Sequence, residues 1–136
     1  MKRRVASLLL LALVLAACAP AADDTLTIYS GRGEELVGPV IERFEEETGI
    51  EVEVRYGDSA ELAATILAEG GESPADVFFA QDPASLGSVG AAGLLASLDD
   101  GVLGLVPDRF SDDAGEWVGV SGRVRVVAYD TSLVDP

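Results

Sequence analysis

Thr25-Leu-Thr-Ile-Tyr29, Ile50-Glu-Val-Glu-Val-Arg-Tyr56 and Asp76-Val-Phe-Phe-Ala80 are the three stretches that decide the fold of this 136-residue chain. The first two alternate polar and apolar residues, and the third is a short apolar run; both patterns are typical of β-strands. Helical patterns separate the three stretches. Because strands that alternate with helices usually pair in parallel, the order predicts an α/β fold with a mostly parallel open sheet and helices on both faces.

Three helices are predicted between and after these strands. The first carries apolar residues at helical spacing over Leu36–Phe44, with Pro39 expected in its first turn and Gly49 as the residue that ends it. Ser59 is predicted to cap the second helix. Asp82-Pro83 combines a capping side chain with a proline at the first helical position, so it is predicted to begin the third helix.

The C-terminal part of the chain is predicted to add two more strands. Residues 117–120 and 123–130 have strand-like patterns, and the acidic, turn-rich stretch 99–116 before them is predicted to be a linker. The sequence then runs directly to Pro136 without a closing helix. We therefore expect residues 25–136 to be a partial solute-binding domain, truncated so that its second lobe is missing.

The N-terminus has the pattern of an export signal. Lys2-Arg3-Arg4 is followed by eleven mostly apolar residues and by small residues before Cys18, so residues 1–17 are predicted to be a signal peptide. The apolar segment would rise only about 16 Å as a helix, too short for a membrane core of roughly 30 Å.

Cys18 is the only cysteine, and Leu15-Ala-Ala-Cys18 resembles a bacterial lipobox, in which the cysteine is acylated and becomes the mature N-terminus. We expect residues 18–24 to be a lipidated cysteine and a tether; the alternative is an ordinary signal peptide with a stray cysteine. Several acyl chains would hold firmly, because each buried methylene contributes about 0.8 kcal/mol. The expected location is extracytoplasmic, lipid-anchored at the outer face of the cytoplasmic membrane or in the periplasm.

The chain is strongly acidic, with nine Lys and Arg against 24 Asp and Glu; without the three basic residues of the leader the formal charge is −18. Such a surface repels nucleic acid, so no nucleic-acid partner is expected. The chain has no histidine, the commonest general base and metal ligand. With its one cysteine assigned to the terminus, no nucleophile–base pair is apparent, and the chain is not expected to be an enzyme.

Four turns are expected at the carboxyl ends of the strands, where open parallel sheets bind ligands. Two of them carry an arginine, whose planar guanidinium suits carboxylate, carbonate or phosphate, and two begin helices whose free N–H groups also favour anions. The candidate ligand- or anion-binding residues are Ser30, Gly31, Arg32, Ser59, Gln81, Asp82, Ser121 and Arg123.

Each candidate also has a purely structural interpretation. The capping role is favoured over ligand contact for Ser59 and Asp82, and the arginines either contact a ligand or pair with nearby acids. Tyr29, Tyr56 and Tyr129 lie in or at the ends of strands, where tyrosine is common, so packing is favoured over a phenolate ligand for a ferric ion.

Five blocks of the sequence together match a known family. They are Leu26-Thr-Ile-Tyr-Ser-Gly-Arg32, Phe44-Glu-Glu-Glu-Thr-Gly-Ile50-Glu-Val, Gly57-Asp-Ser-Ala-Glu-Leu62 and, most specifically, Ser73-Pro-Ala-Asp-Val-Phe-Phe79 and Val118-Gly-Val-Ser-Gly-Arg-Val-Arg-Val-Val127. In this order they resemble the opening part of the bacterial ferric-iron-binding solute proteins of ABC importers.

The resemblance implies the first lobe of a two-lobed type II periplasmic-binding-protein fold. In that family the lobes close on Fe(III), often with a synergistic anion, and the closed form docks on a membrane permease that works with an ATPase. A tyrosine pair of the second lobe supplies the main ligands; it would lie beyond Pro136, so no intact metal site is expected in this chain. We expect no cofactor, and a monomer held at the membrane by its lipid.

Two positions depart from the family pattern. Some relatives place a histidine just after the Ser-Gly-Arg turn and a glutamate just after the Phe-Phe strand, where this chain has Gly33 and Gln81. The first lobe is therefore not expected to bond the iron directly, while Arg32 and Arg123 match positions that face the anion. The alternatives are a binding protein for another small ion or oxyanion, a fragment without function and, least favoured, an enzyme on a similar fold.

Overall fold

A computed structural model describes residues 25–124, 126–130 and 132–133. Its helices and strands are β1 (Leu26–Ser30), α1 (Glu34–Thr48), β2 (Val52–Tyr56), α2 (Ser59–Glu69), β3 (Val77–Phe79), α3 (Pro83–Ala91) and the four-residue α4 (Asp100–Leu103). One 3-10 turn directly follows α2, at Gly70–Glu72, and another comes after α4, at Asp108–Phe110. The expectations for residues 1–17 and 18–24, including lipidation of Cys18, lie outside the described residues.

The three strands form one parallel sheet in the order β2-β1-β3. In the central strand, Tyr29 pairs with Arg55 of β2 on one side and with Phe78 of β3 on the other. The step from β1 to β2 and the step from β2 to β3 run in opposite directions across the sheet. Because such crossovers are right-handed, α1 covers one face of the sheet and α2 the other. The predicted α/β class is confirmed.

The core lies between the sheet and the helices α2 and α3. Its buried residues are Tyr29, Leu62, Ala63, Ile66 and Val89. The Tyr29 side chain is only 3% exposed, and its hydroxyl donates to Glu69 Oε1 at 3.0 Å and accepts from the Arg55 guanidinium at 3.3 Å. Since a buried phenol needs such partners, Tyr29 has the packing role that its strand position predicted.

Helix α1 begins earlier than predicted. It starts at Glu34, directly after Gly33, so Pro39 is its sixth residue and the prediction of a first-turn proline is wrong. The acidic first turn favours this early start, because negative side chains stabilise a helix N-terminus. The predicted end is confirmed: Gly49 has a φ of 73° and donates its N–H to the Glu45 carbonyl at 2.8 Å.

The strands predicted at 117–120 and 123–130 are wrong for the described residues. Val118 makes a single antiparallel bridge to Ser111, while Val124 and Val127 are 85% and 87% exposed. A strand needs a neighbour that accepts and donates its backbone hydrogen bonds along its length. Beyond this one bridge, the described part of the chain places no such neighbour beside these residues. The predicted linker at 99–116 contains α4 and the second 3-10 turn.

Candidate functional site

The predicted turns meet at the carboxyl ends of the strands. The Gly31 N–H donates to the Phe79 carbonyl at 2.8 Å, which joins the turn after β1 to the end of β3. The Gln81 N–H donates to Ser59 Oγ at 3.0 Å, which joins the turn after β3 to the start of α2. The turns after all three strands therefore form one continuous surface at this edge of the sheet.

Gly31 is required for this close approach. A Cβ atom at this position would lie 2.1 Å from Ser59 Oγ and 3.4 Å from the Phe79 carbonyl oxygen. No side chain fits such a gap without displacing its neighbours. Gly31 therefore has a structural role in bringing the turns together.

Ser30 shapes the same turn from inside. Its side chain is fully buried, and its hydroxyl donates to the Arg32 carbonyl at 2.9 Å and accepts the Arg32 N–H at 3.2 Å. Both hydrogen-bonding capacities of the hydroxyl are thus used within the turn. Ser30 fixes the backbone that carries Arg32.

Among the described residues, the side chains of the two candidate arginines have neutral oxygen partners. Arg32 donates from Nη2 to Ser121 Oγ at 3.5 Å, and Arg123 donates from Nη2 to Gln81 Oε1 at 3.4 Å. The ion pairs of the described residues are Arg43–Glu47 and Arg55–Glu69. The alternative interpretation, in which Arg32 and Arg123 pair with nearby acids, is therefore not what the described residues show.

The two capping predictions have opposite outcomes. Asp82 caps α3 as predicted: its carboxylate accepts the Ser85 N–H at 2.8 Å and the Ser85 hydroxyl at 3.0 Å, and the backbone bond is the main cause that lowers the pKa of Asp82. The cap of α2 is Asp58, which accepts the Ala60 N–H at 2.9 Å, and the prediction of Ser59 is wrong. The Ser59 hydroxyl instead accepts the Gln81 N–H in the turn after β3.

A cavity of about 530 Å³ lies beside these turns. Of the eight candidates, Arg32, Gln81, Asp82 and Ser121 line it. Ser30, Gly31, Ser59 and Arg123 do not line the cavity, but each is hydrogen-bonded to a residue that does. The structure thus brings all eight candidate residues to one place.

One wall of this cavity was not expected. Arg109, Phe110, Glu116 and Trp117 line it, although all four lie in or directly after the stretch predicted to be a linker. Phe110 and Trp117 could have indicated this wall in the sequence, because large aromatic side chains are usually buried and a solvated linker would expose them to water.

The other two tyrosines lie at exposed positions. Tyr56, at the end of β2, is 38% exposed, and Tyr129 is 46% exposed. Partial burial, together with the negative charges of Glu34 and Glu35, raises the pKa of the Tyr56 phenol. A raised pKa disfavours the phenolate form that would bind a ferric ion.

The described residues offer the chemistry of anion binding rather than of metal binding. Among them, no group of three or more His, Cys, Asp or Glu side chains is placed to hold a metal ion. In the same ranges, no helix has both the length and the apolar character needed to cross a membrane. Arg32, the Ser121 hydroxyl and the Gln81 amide line one cavity, and Arg123 is hydrogen-bonded to Gln81 beside it; such donors are suited to an oxyanion.

Comparison with known proteins gives the family. Residues 29–136 match the family model for bacterial extracellular solute-binding proteins. The major ferric iron-binding protein of Neisseria gonorrhoeae is 38% identical over 124 residues, which are 90% of this chain and 37% of that protein.

Two solved structures show the same fold. Iron-bound HitA from Pseudomonas aeruginosa superposes with a TM-score of 0.74 at 37% identity, over 82% of this chain and 36% of that chain. The Trichodesmium IdiA (FutA) structure with iron and citrate has a TM-score of 0.64 at 28% identity, over 70% of this chain and 30% of that chain. The chain thus spans about a third of the length of these relatives.

These relatives confirm the predicted resemblance to ferric-binding solute proteins and the type II periplasmic-binding-protein fold. Because the family model matches most of its length, the chain belongs to the bacterial extracellular solute-binding proteins.

Proposed function

We propose that this chain is the first lobe of an extracytoplasmic solute-binding protein that captures ferric iron together with an oxyanion. The observation that carries the proposal is that Arg32 and Arg123 lie at the same sheet edge and are held by neutral oxygens. The charge of an arginine without a carboxylate partner is not neutralised by the protein, so it can attract an anionic ligand. The planar guanidinium also matches the oxygens of carbonate, phosphate or a carboxylate. The ferric-binding relatives support iron as the transported substrate.

The donor atoms that each lobe offers indicate which lobe binds the iron and which binds the anion. Fe(III) is a hard cation that favours oxygen ligands, and we infer that the tyrosine ligands implied by the resemblance belong to the second lobe. The first lobe then binds the anion, whose remaining oxygens coordinate the iron. The citrate reported with iron in the Trichodesmium relative supports such a co-bound anion.

Export and delivery complete the proposal. Residues 1–17 would be removed as a signal peptide, and Cys18 would carry the lipid that holds a monomeric protein at the membrane. The loaded protein would deliver iron to an ABC permease with its ATPase. It would bind and release its substrate without chemical change, so no enzyme activity is proposed.

The test uses the native gene product, isolated from its own cells and stripped of iron. Addition of Fe(III) as ferric nitrilotriacetate, with phosphate or carbonate present, should produce a visible tyrosinate charge-transfer band. Replacing both arginines, Arg32→Ala with Arg123→Ala, should lower the iron affinity at least about tenfold, because hydrogen bonds to charged groups are worth roughly 1.5–3 kcal/mol.

The matched control is Arg43→Ala. Arg43 forms an exposed ion pair with Glu47 on α1, with side chains 76% and 62% exposed, so its loss should leave iron binding unchanged. A native protein that stays colourless with Fe(III), or a double variant that binds iron as well as the Arg43→Ala protein does, contradicts the proposal.

A second candidate function is the binding of an oxyanion without iron. It is favoured by one observation: the donors that meet at this end of the sheet, two guanidinium groups, a hydroxyl and an amide, all suit an anion without further ligands. Titration of the iron-free native protein with inorganic phosphate, followed by calorimetry, separates the two functions. Phosphate binding together with no charge-transfer band would favour the second candidate.

A further inference from the structure

Gln81 contacts three of the four turns at once. Its backbone N–H donates to Ser59 Oγ at 3.0 Å. Its side-chain amide donates from Nε2 to the Gly31 carbonyl and accepts at Oε1 from Arg123 Nη2 at 3.4 Å. Among the eight candidate residues, Gln81 therefore has contacts with the turns that follow β1 and β2 and with the turn that carries Arg123.

The two side-chain partners fix the orientation of the amide. The Gly31 carbonyl only accepts a hydrogen bond, and the Arg123 guanidinium only donates. If the amide were turned over, its oxygen would face the carbonyl and its NH₂ group would face the guanidinium, and both contacts would be repulsive. The amide is thus held with its oxygen towards Arg123.

A carboxylate would not fulfil the same two roles. A glutamate at this position would bring one oxygen against the Gly31 carbonyl, where no donor exists to satisfy it. Its other oxygen would pair with Arg123 and neutralise the guanidinium charge. The amide orients the arginine and leaves its charge unchanged.

We propose that Gln81 is a positioning and specificity-determining residue: it holds Arg123 beside the cavity as an uncompensated cation, so that the site takes a free oxyanion. This inference rests on the proposed function. It explains why a neutral residue at this position fits an anion-binding wall: the negative charge that balances Arg123 comes from the ligand instead of from the protein.

The test measures the affinity of the native gene product for inorganic phosphate by calorimetry, with thermal unfolding recorded for every variant. Gln81→Glu should lower the affinity at least about tenfold, because Arg123 is then paired internally. Gln81→Ala, which removes the orienting contacts but adds no charge, should lower it only a few-fold. Ala68→Glu adds the same charge at an exposed position near the far end of α2, away from the cavity, and should bind phosphate within about twofold of the native protein.

A pH profile separates this role from a merely structural one. With sulfate, whose charge is constant over the range, the affinity of the Gln81→Glu protein should rise as the pH falls through the pKa of the new carboxyl group. The profile of Gln81→Ala should stay parallel to that of the native protein. A structural role would change unfolding temperatures and leave the shape of these profiles alone.

The outcomes keep the two proposals apart. Native phosphate affinity in both Gln81 variants overturns the inference and leaves the proposed function standing. If Gln81→Glu does not fold, an unchanged affinity in Gln81→Ala overturns it equally. A native protein that binds no oxyanion overturns the proposed function, and the inference with it.

Discussion

Two regions of the chain carry similar strand-forming sequences and have different structures. Strand β1 is paired on both sides, and its Tyr29 and Ser30 are 3% and 0% exposed. Residues 124 and 126–130 are also rich in valine and tyrosine, yet no described strand lies beside them and Val127 is 87% exposed. The position of a partner, more than residue preference, therefore decides which β-branched stretch becomes a strand.

The two regions are also held together by different forces. The sheet region buries a cluster of apolar side chains between β1, α2 and α3. The region after residue 99 is held mainly by local hydrogen bonds: Asp112 Oδ1 accepts the N–H groups of Glu116 at 2.7 Å and Trp117 at 3.1 Å. Burial of an apolar cluster contributes more free energy than a few such partly buried bonds, so substitutions in the two regions should differ in cost.

The largest expected difference is between Ile66→Ala and Val127→Ala. Ile66 is 5% exposed in the core, so its truncation leaves a cavity and should cost about 2–5 kcal/mol of unfolding free energy. The Val127 side chain is exposed, so its truncation should change the unfolding free energy by less than about 0.5 kcal/mol. Urea unfolding of both variants measures the two values. A costly Val127→Ala would show that residues 126–130 pack in solution.

The sequence predicted the sheet region well because its signals are local. Alternation predicted β1 and β2, a short apolar run predicted β3, helical spacing predicted α1 and α2, and Asp82-Pro83 predicted the start of α3. The strand-like residues after 116 could not be judged in the same way. Pairing joins residues that are far apart in sequence, and a periodic pattern contains no information on where a partner lies.

The second prediction concerns the glycines of the sheet region. Gly31→Ala would place a methyl group 2.1 Å from Ser59 Oγ, so it should destabilise the protein by about 1–3 kcal/mol. The matched control is Gly87→Ala in α3, where no atom lies within 4 Å of the new methyl group. This control should stabilise the protein by about 0.4–1 kcal/mol, because alanine restricts the unfolded chain.

Chemical denaturation of these two variants gives the comparison directly. Equal effects of the two substitutions would mean that the turns after β1 and β2 are not in close contact. Opposite signs are the expected result.

The sequence predicted which residues form the site better than it predicted the hydrogen bonds that join them. Arg32 and Arg123 stood out because the rest of the chain is acidic, and the strand-end rule gave their common location. Spacing could not show that Gln81 joins Arg123 to the turn after β1, nor that the Ser59 hydroxyl accepts the Gln81 N–H instead of capping α2. Both are contacts between turns that only the folded sheet brings together.

The smallest expected effect compares two helix caps, one in each region. Asp82 caps α3 in the sheet region, and Asp99 caps the four-residue α4, where it accepts the Gly101 N–H at 2.7 Å. Asp82→Ala should cost about 1 kcal/mol at pH 7, the usual value of such a cap. Asp99→Ala should cost less, because a single helical turn outside the core contributes little to unfolding.

The Asp82 effect should also depend on pH, with a defined sign. The Ser85 N–H lowers the pKa of Asp82 in the folded protein, so the carboxylate stabilises the fold above its unfolded pKa of about 3.9. This contribution is lost as the pH falls through the lower, folded pKa. The difference in unfolding free energy between the native and Asp82→Ala proteins should therefore be full at pH 7 and narrow below about pH 4. A gap that is constant from pH 7 to pH 3 would mean that the neutral carboxyl group of Asp82 caps α3 as well as the ionised carboxylate does.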